Sequence, residues 1–321
     1  MILTITANPS VDISYNIDNL KIDDVNRVRE VKKDAGGKGV HVSYVLNELG
    51  EEVSNSGFVG GKLGEFIEKR LDQRKISHDF IKLEDETRNC IAIIHNKNQT
   101  EILEKGPFVS KEKEDEFLKH LKEISKDLDI INISGSLPDG LDYTFYQKII
   151  EFAKENNIFV SLDTSGETLK NLVRGRIKPD LIKPNEKEIV DIIGKDFPKD
   201  EGKIEEIFES EFLKEISHII VSQGSEGAVV KIKEKIYKAK VPKVKAINPV
   251  GSGDASLAGA ISAIKNKEDN LDFIRKSMTC GLANVLNHEI AHINMEDFDK
   301  YYNQIKIKEI KWKFQRGNLK I

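Results

Sequence analysis

The segment Asn248-Pro-Val-Gly-Ser-Gly-Asp254-Ala-Ser-Leu-Ala-Gly-Ala-Ile261 joins a glycine-rich turn to the start of a small-residue apolar run. Gly251 and Gly253 can adopt backbone angles closed to other residues, so the turn can point its N–H groups outward. The apolar residues that follow recur at helical intervals, which predicts a helix. The turn therefore leads into a helix N-terminus, where free N–H groups and the helix dipole favour an anion.

Asp254 lies at the predicted start of this helix, beside the anion-binding turn. A carboxylate there would repel a phosphate, unless it acts on a group that approaches the phosphate. In phosphoryl transfer that group is the acceptor hydroxyl. The alternative is a helix cap, because Asp is a favoured residue at helix N-termini. The segment alone leaves both interpretations open.

The composition indicates a soluble globular α/β protein with one large domain or two smaller ones, since its 321 residues are 39% hydrophobic and 32% charged. The net charge of −4 argues against non-specific nucleic-acid binding. Two distant cysteines, Cys90 and Cys280, form neither a disulfide framework nor a zinc motif, so we expect a reducing compartment, the cytoplasm. No apolar run approaches the roughly 18 residues that a membrane span needs.

From about Ser110 onward, helical patterns alternate with short apolar runs. Such runs are typical of strands in a parallel sheet that is covered on both faces. The predicted strands of this part are 130–134, 159–163, 181–183, 218–222, 228–232 and 235–239, and its longer predicted helices include 143–156, 186–193 and 203–215. The alternation predicts a three-layer α/β/α domain with a mostly parallel central sheet.

The first third of the chain departs from this alternation. After a predicted strand at 2–6, the segments at about 11–33 and 88–104 carry β-like patterns, and the second contains a hairpin with a polar turn. We interpret these two segments as a small sheet that stands off the main sheet as a lid. We expect a single domain over residues 1–310, followed by a C-terminal tail at 311–321.

Polar and glycine residues cluster where several predicted strands end, after Ser134, Lys183 and Ser222. Ligands of open parallel sheets bind beyond the carboxyl ends of the strands, so these loops are expected to converge on one site. The chain lacks both the Walker pattern and a Gly-x-Gly-x-x-Gly after its first strand. A P-loop ATPase and an ordinary nicotinamide dehydrogenase are therefore disfavoured.

Asn185 and Glu188 are three residues apart at a predicted helix start, which places both on one face. Their oxygens suit Mg²⁺ beside nucleotide phosphates. The alternative is a capping box, in which Asn185 caps the helix and Glu188 is its partner.

A second glycine motif, Gly36-Gly-Lys-Gly39, can bring the backbone close to a ligand and supplies one cation. Asp12 could accept hydrogen bonds from sugar hydroxyls, and Arg27 and Arg88 could clamp a phosphate from the lid segments. Taken singly, each of these charged residues is better explained as an ordinary surface charge.

Four motifs together, Asn8-Pro-Ser-Val-Asp12, Gly36-Gly-Lys-Gly39, Asn185-x-x-Glu188 and Gly251-Ser-Gly-Asp254, resemble the ribokinase-like (PfkB) sugar kinase family in order and spacing over about residues 1–310. The stretch Thr87–Ile93 is most similar to the phosphosugar branch. The resemblance implies ATP-dependent phosphorylation of a ketohexose monophosphate to a bisphosphate. Tagatose 6-phosphate is the expected acceptor and fructose 1-phosphate the alternative. A different class, a non-catalytic sugar-phosphate-binding regulator on a kinase fold, is the third hypothesis.

The resemblance also implies a role for each matching residue. Asp254 would be the general base, beside an anion hole formed by Gly251, Ser252 and Gly253. Asn185 and Glu188 would position the Mg²⁺ that accompanies ATP. The nucleotide site would comprise Lys183, Asn185, Ser222, Gly224, Gly227 and Asn284. The acceptor site would comprise Asp12, Gly36, Gly37, Lys38, Gly39 and His41, with Arg27, Arg88 and Ser136 on the existing phosphate.

His41 is a departure from the branch's pattern, which usually has Asn at this position. Asn and His both form hydrogen bonds, but His differs in shape and can titrate. The departure bears on the identity of the sugar. The expected partners are ATP and a sugar phosphate, with no nucleic acid or membrane, and the resemblance implies a homodimer that forms through the lid.

Overall fold

The computed structural model describes residues 1–96, 98–198 and 200–310. The predicted C-terminal tail at 311–321 lies outside the described residues. Within this part of the chain, no helix is both long and apolar enough to cross a bilayer.

The main sheet runs in the order β15-β14-β13-β12-β11-β10-β9-β1-β4-β5, and β6 also pairs with β4. The pairs from β12 through β5 are parallel, whereas β13, β14 and β15 are antiparallel. Its strands are β1 Ile2–Thr6, β4 Val53–Gly60, β5 Ser77–His78, β6 Ile81–Leu83, β9 Ile130–Ser134, β10 Phe159–Asp163, β11 Leu181–Ile182, β12 His218–Ser222, β13 Ala228–Ile232, β14 Lys235–Lys240 and β15 Lys306–Ile310.

Consecutive strand residues alternate between two separate hydrophobic cores. Ile130 belongs to one core and Ile131 to the other, as expected when each strand is covered on both faces. The first core includes residues of α1, α2, α8, α9 and α10, and the second those of α3 to α7. The helices are α1 Lys38–Glu48, α2 Gly61–Gln73, α3 Lys111–Ile124, α4 Tyr143–Glu155, α5 Gly166–Arg174, α6 Glu186–Ile193, α7 Ile204–Phe208, α8 Ser252–Lys265, α9 Asn270–Val285 and α10 Met295–Tyr302. The predicted three-layer architecture is therefore confirmed.

A second sheet of four strands, in the order β3-β2-β7-β8, stands apart from the main sheet. Its strands are β2 Ser10–Asn16, β3 Val31–Gly36, β7 Arg88–His95 and β8 Asn98–Leu103. Strand β2 pairs antiparallel with β3 and parallel with β7, and β7 pairs antiparallel with β8. The two β-rich segments of the first third thus form the small sheet expected from their pattern. We refer to β2, β3, β7 and β8 as the small sheet.

Several predicted boundaries are wrong. The first β-like segment, expected to end at about residue 33, extends to the end of β3 at Gly36, and α1 begins at Lys38. The helix expected at 203–215 is α-helical only over Ile204–Phe208 and continues as turns. Strand β15, which pairs with β14, was not predicted because its alternating charged residues resemble a solvated segment.

Candidate active site

The glycine turn at 251–253 leads directly into α8, as its sequence predicts. Gly251 is the N-cap residue, with φ of 78° in the left-handed region that favours glycine. Asp254 lies in the first turn of the helix and is 8% exposed. Its carboxylate caps no backbone N–H in this helix, so the interpretation of Asp254 as an N-cap is wrong. The side chain is therefore available for another contact.

That contact is with His41 on α1, a residue 213 positions away in sequence. The His41 Nδ1 atom lies 3.0 Å from Asp254 Oδ2, and its Nε2 atom lies 3.3 Å from Asp12 Oδ2. Ser10 donates a hydrogen bond of 2.7 Å to the other oxygen of Asp12. Burial opposes a charge on His41, but the hydrogen bonds to Asp12 and Asp254 outweigh it and raise the His41 pKa to about 10. The structure thus brings together three residues that the sequence analysis assigned to the acceptor and the base.

The second glycine motif packs tightly around these residues. A Cβ atom at Gly36 would lie 2.0 Å from the Asp12 carboxylate, and one at Gly39 would lie 2.2 Å from Thr6 Oγ1. Gly37 has φ of 103° and precedes the first helical residue, Lys38. The motif therefore needs glycine for space at 36 and 39 and for backbone conformation at 37.

Asp163, at the carboxyl end of β10, joins two lysines of the predicted site and was missed in the sequence. Lys38 Nζ lies 3.1 Å from Asp163 Oδ1, and Lys183 Nζ lies 3.4 Å from Asp163 Oδ2. The lysines come from α1 and from the end of β11, so only the folded chain brings them together. The available signal was the position of Asp163 at a strand end on the ligand-binding edge.

The electrostatics of this trio leave an excess of positive charge. The negative charge of Asp163 raises the pKa of Lys38 above its ordinary value, against the effect of burial, and Asp254 and Glu188 add to it. Burial would raise the pKa of Asp163, but the charges of Lys183 and Lys38 outweigh it and hold that pKa below its ordinary value. Two ammonium groups beside one carboxylate suit an anionic ligand at this edge.

Asn185 and Glu188 form the capping box that was the alternative to a metal pair. Asn185 Oδ1 accepts a hydrogen bond of 2.9 Å from Glu188 N, and Glu188 Oε2 accepts one of 2.8 Å from Asn185 N. Within the described residues, no cluster of three or more His, Cys, Asp and Glu side chains could hold a metal by itself. Mg²⁺ bound with nucleotide phosphates needs only one or two carboxylates and keeps several waters. Because the capping box uses Oε2 of Glu188, its Oε1 atom fits that limited role.

The remaining candidates for the nucleotide site lie along the same edge. Asn185 forms an isolated parallel bridge with Ser222, and Ser222 N donates to Pro184 O at 2.9 Å. Gly224 and Gly227 bound the short turn between β12 and β13. Asn284 is fully buried on α9, donates to Val250 O at 2.8 Å and keeps its Oδ1 without a partner. A Cβ at Gly251 would lie 3.4 Å from that oxygen, so Asn284 supports the glycine turn.

The three candidates for the existing phosphate of the sugar come from three different parts of the fold. Arg88 is held at the start of β7, where it donates to Glu104 O at 3.1 Å and to Asn8 O at 3.0 Å. Arg27 is exposed in the connection between β2 and β3, and Ser136 is exposed just past β9. Gly135, beside Ser136, donates from its backbone N to Asp163 O at 2.9 Å.

The chain resembles known proteins closely enough to assign its family. The model of the pfkB family of carbohydrate kinases matches residues 5–296. The chain belongs to the PfkB family of carbohydrate kinases. Family members transfer a phosphoryl group to a sugar, so this PfkB chain is a phosphotransferase whose substrates are ATP and a sugar phosphate.

Similar proteins cover nearly the whole PfkB chain. The tagatose-6-phosphate kinase of Staphylococcus epidermidis strain RP62A is 42% identical over 310 residues, which cover 97% of this chain and 100% of the relative. A protein described as a possible 1-phosphofructokinase from Thermotoga maritima is 25% identical, with a TM-score of 0.86. The match covers 97% of this chain and 99% of that protein. Phosphofructokinase-2 from Escherichia coli shares the fold, with a TM-score of 0.86 and 24% identity. That match covers 94% of this chain and 98% of the E. coli protein.

Proposed function

We propose that this chain transfers the γ-phosphoryl group of ATP to tagatose 6-phosphate and forms tagatose 1,6-bisphosphate. The observation that carries the proposal is the convergence of Asp254, His41 and Asp12, which come from α8, α1 and the small sheet. A buried carboxylate at the helix N-terminus that follows a glycine turn provides an acceptor base and an anion site side by side.

The acceptor hydroxyl gives its proton to the Asp254 carboxylate as its oxygen forms a bond to the γ-phosphorus. The bond between the γ-phosphorus and the oxygen that bridges it to the β-phosphate breaks, and ADP leaves. The backbone N–H groups of Gly251, Ser252 and Gly253 stabilise negative charge on the transferring group. Positioning and electrostatic stabilisation account for most of the acceleration in such reactions.

The charged trio of Lys38, Asp163 and Lys183 supports the same assignment. A Cβ at Gly253 would lie 3.2 Å from Lys183 Nζ, so this ammonium group is adjacent to the glycine turn. Its place there lets it neutralise phosphate charge while Asp163 fixes its orientation. Glu188 and Asn185 would hold the Mg²⁺ that accompanies ATP, and the ion would supply further neutralisation of phosphate charge.

The acceptor is assigned to Asp12, Gly36, Gly37 and His41, because His41 lies between Asp12 and Asp254 and the glycine motif packs against Asp12. The small sheet would cover the sugar and limit wasteful hydrolysis of ATP. Tagatose 6-phosphate is preferred to fructose 1-phosphate, since the relative at 42% identity over its full length carries the former in its name. The relative named for 1-phosphofructokinase is 25% identical.

A panel of phosphosugars with ATP and Mg²⁺, read as ADP release in a coupled assay, tests the proposal. We expect the highest kcat/KM for tagatose 6-phosphate, by at least about tenfold over fructose 1-phosphate. A preference for fructose 1-phosphate would show that the acceptor is fructose 1-phosphate, and the proposed chemistry would stay the same. Binding of sugar phosphate without any turnover would instead support a non-catalytic regulator.

We also propose that the chain acts in the cytoplasm as a homodimer that pairs through the small sheet. All six residues of β8 are exposed, and they include the apolar residues Ile102 and Leu103, which are 54% and 59% exposed. Apolar side chains on an exposed sheet are typical of a contact surface. Cys90 and Cys280 are both free, which suits a reducing compartment.

A further inference from the structure

The His41 ring lies between two carboxylates that belong to different parts of the fold. Asp12 is on β2 of the small sheet, Asp254 is on α8, and His41 is on α1. The ring is 8% exposed, and the two N···O distances are 3.0 Å to Asp254 and 3.3 Å to Asp12. One side chain therefore spans the gap between the assigned sugar site and the assigned base.

This geometry determines the protonation state of the ring. A neutral imidazole carries one N–H and can donate to one carboxylate, whereas the imidazolium donates from both nitrogens. Two carboxylates, one at each nitrogen, therefore favour the charged form. The His41 pKa of about 10 agrees with this assignment. The other charges at this end are Lys38, Asp163, Lys183 and Glu188, and the first three form their own ion pairs.

We infer that His41 is a positioning residue that holds Asp12 and Asp254 in one ion-paired unit, so that a single ring orients both the acceptor sugar and the base. The inference rests on the proposed function, in which Asp12 binds a sugar hydroxyl and Asp254 takes the proton. Without the ring, two carboxylates would face each other with no cation between them. Each could then turn away from the orientation that the reaction needs.

The unit also explains the tight packing at the second glycine motif. Asp12 is held by His41 Nε2 and by the Ser10 hydroxyl, and the lack of a side chain at Gly36 leaves room for its carboxylate. Asp254 is fixed by the helix that carries it and by His41 Nδ1. Since both carboxylates are fixed to the same ring, a shift of either one is transmitted to the other.

A spectroscopic test needs no turnover. Long-range ¹H–¹⁵N correlation spectra of the wild-type chain at pH 8.5 distinguish neutral from doubly protonated rings among its seven histidines. We expect a doubly protonated ring whose signals disappear in His41→Gln or His41→Asn. A wild-type spectrum in which every ring is neutral at this pH would overturn the inference, whether or not either variant folds.

A kinetic test compares His41→Gln with a matched control, His78→Gln. His78 also lies between two carboxylates, 3.1 Å from Asp72 and 3.7 Å from Glu68, but on β5 at the far edge of the main sheet. We expect His41→Gln to lower kcat by about 10- to 100-fold, because misplacing a reacting group slows the reaction by about that factor. We expect the KM for ATP to stay within about twofold, because the nucleotide is bound elsewhere. His78→Gln should have the same kcat and the same KM for ATP as the wild type.

A double variant distinguishes positioning from a general structural defect. If His41 acts partly through Asp254, adding His41→Gln to Asp254→Asn should lower kcat by a smaller factor than it does in the wild type, since residues that act as a unit are not additive. The loss that remains is the part that acts through Asp12. Multiplicative losses in the double variant, or a His41→Gln variant as active as His78→Gln, would overturn the inference. A wild-type chain that turns over no phosphosugar would refute the proposed function instead, and the spectroscopic test would still decide the state of the ring.

Discussion

At the scale of single residues, Asp254 gives the sharpest prediction. Its carboxylate is buried, lies in the first turn of α8 and is oriented by His41. Replacing it with Asn keeps the shape but removes the base, so we expect kcat to fall by about 10²- to 10⁴-fold. The affinity for ATP, measured by calorimetry, should change little. A variant with near-normal kcat would remove Asp254 from the mechanism.

The raised pKa of His41 predicts how stability depends on pH. The ring is protonated up to about pH 10 in the folded chain but only to about 6.5 when unfolded, so the fold favours the charged form. This contribution is fully present below pH 6.5 and is lost as the pH rises through about 10. At about 1.4 kcal/mol per pKa unit, it amounts to a few kcal/mol.

Denaturant unfolding of the wild type and of His41→Gln at pH 6, 8 and 10 measures this dependence. We expect the difference in free energy of unfolding to be largest at pH 6 and smallest at pH 10. The comparison cancels groups that titrate equally in both chains. A difference that stays constant over this range would show that the ring is not held in its charged form.

Residue patterns predicted the motifs but not all of their partners. Gly36, Gly37, His41 and Asp254 were assigned to one site from the resemblance, and the fold does bring them together. Asp163 was missed because an Asp at the end of an apolar strand resembles an ordinary loop residue. Its ion pairs, with Lys38 and Lys183, depend on tertiary contacts that no local pattern contains.

At the scale of elements, buried strands were the most predictable. The strands 2–6, 130–134, 159–163, 218–222 and 228–232 match β1, β9, β10, β12 and β13, because their length and continuous apolarity leave little alternative. Segment 203–215 was predicted as one helix from its apolar spacing. Its second half instead forms turns, which are stabilised by Lys231 Nζ donating to the carbonyls of Leu213, Lys214 and Ile216.

The start of α6 allows its two roles to be tested separately. Glu188→Gln keeps the capping box, since Gln can serve at this position, but it removes the charge that would attract Mg²⁺. We expect the free energy of unfolding to change by less than about 0.5 kcal/mol. The Mg²⁺ concentration needed for half-maximal activity should rise severalfold.

Glu188→Ala is the matched variant, because it removes both the charge and the hydrogen bond that the Glu188 side chain accepts from Asn185 N. It should lose about 1 kcal/mol of stability in addition to the change in Mg²⁺ dependence. If Glu188→Gln required no more Mg²⁺ than the wild type, the capping box alone would explain the Asn185-x-x-Glu188 motif.

At the scale of the whole molecule, the small sheet contributes Asp12 to the site and leaves β8 exposed. Ile102→Asp places a charge in the proposed dimer contact and should convert the dimer to a monomer in analytical ultracentrifugation. Leu271→Asp, at an exposed apolar position on α9, is the control and should remain dimeric. A wild-type chain that is monomeric at micromolar concentration would contradict the proposed contact.

The identity of the product tests whether Asp254 directs a hydroxyl of tagatose 6-phosphate onto the γ-phosphate of ATP. Phosphorus NMR of a reaction containing tagatose 6-phosphate, ATP and Mg²⁺ follows every phosphate in the mixture. We expect ADP together with a sugar that carries two phosphate monoesters, at C1 and C6, and no detectable bisphosphate with Asp254→Asn over the same time. The appearance of ADP with inorganic phosphate alone, or of equal bisphosphate from both chains, would contradict this expectation.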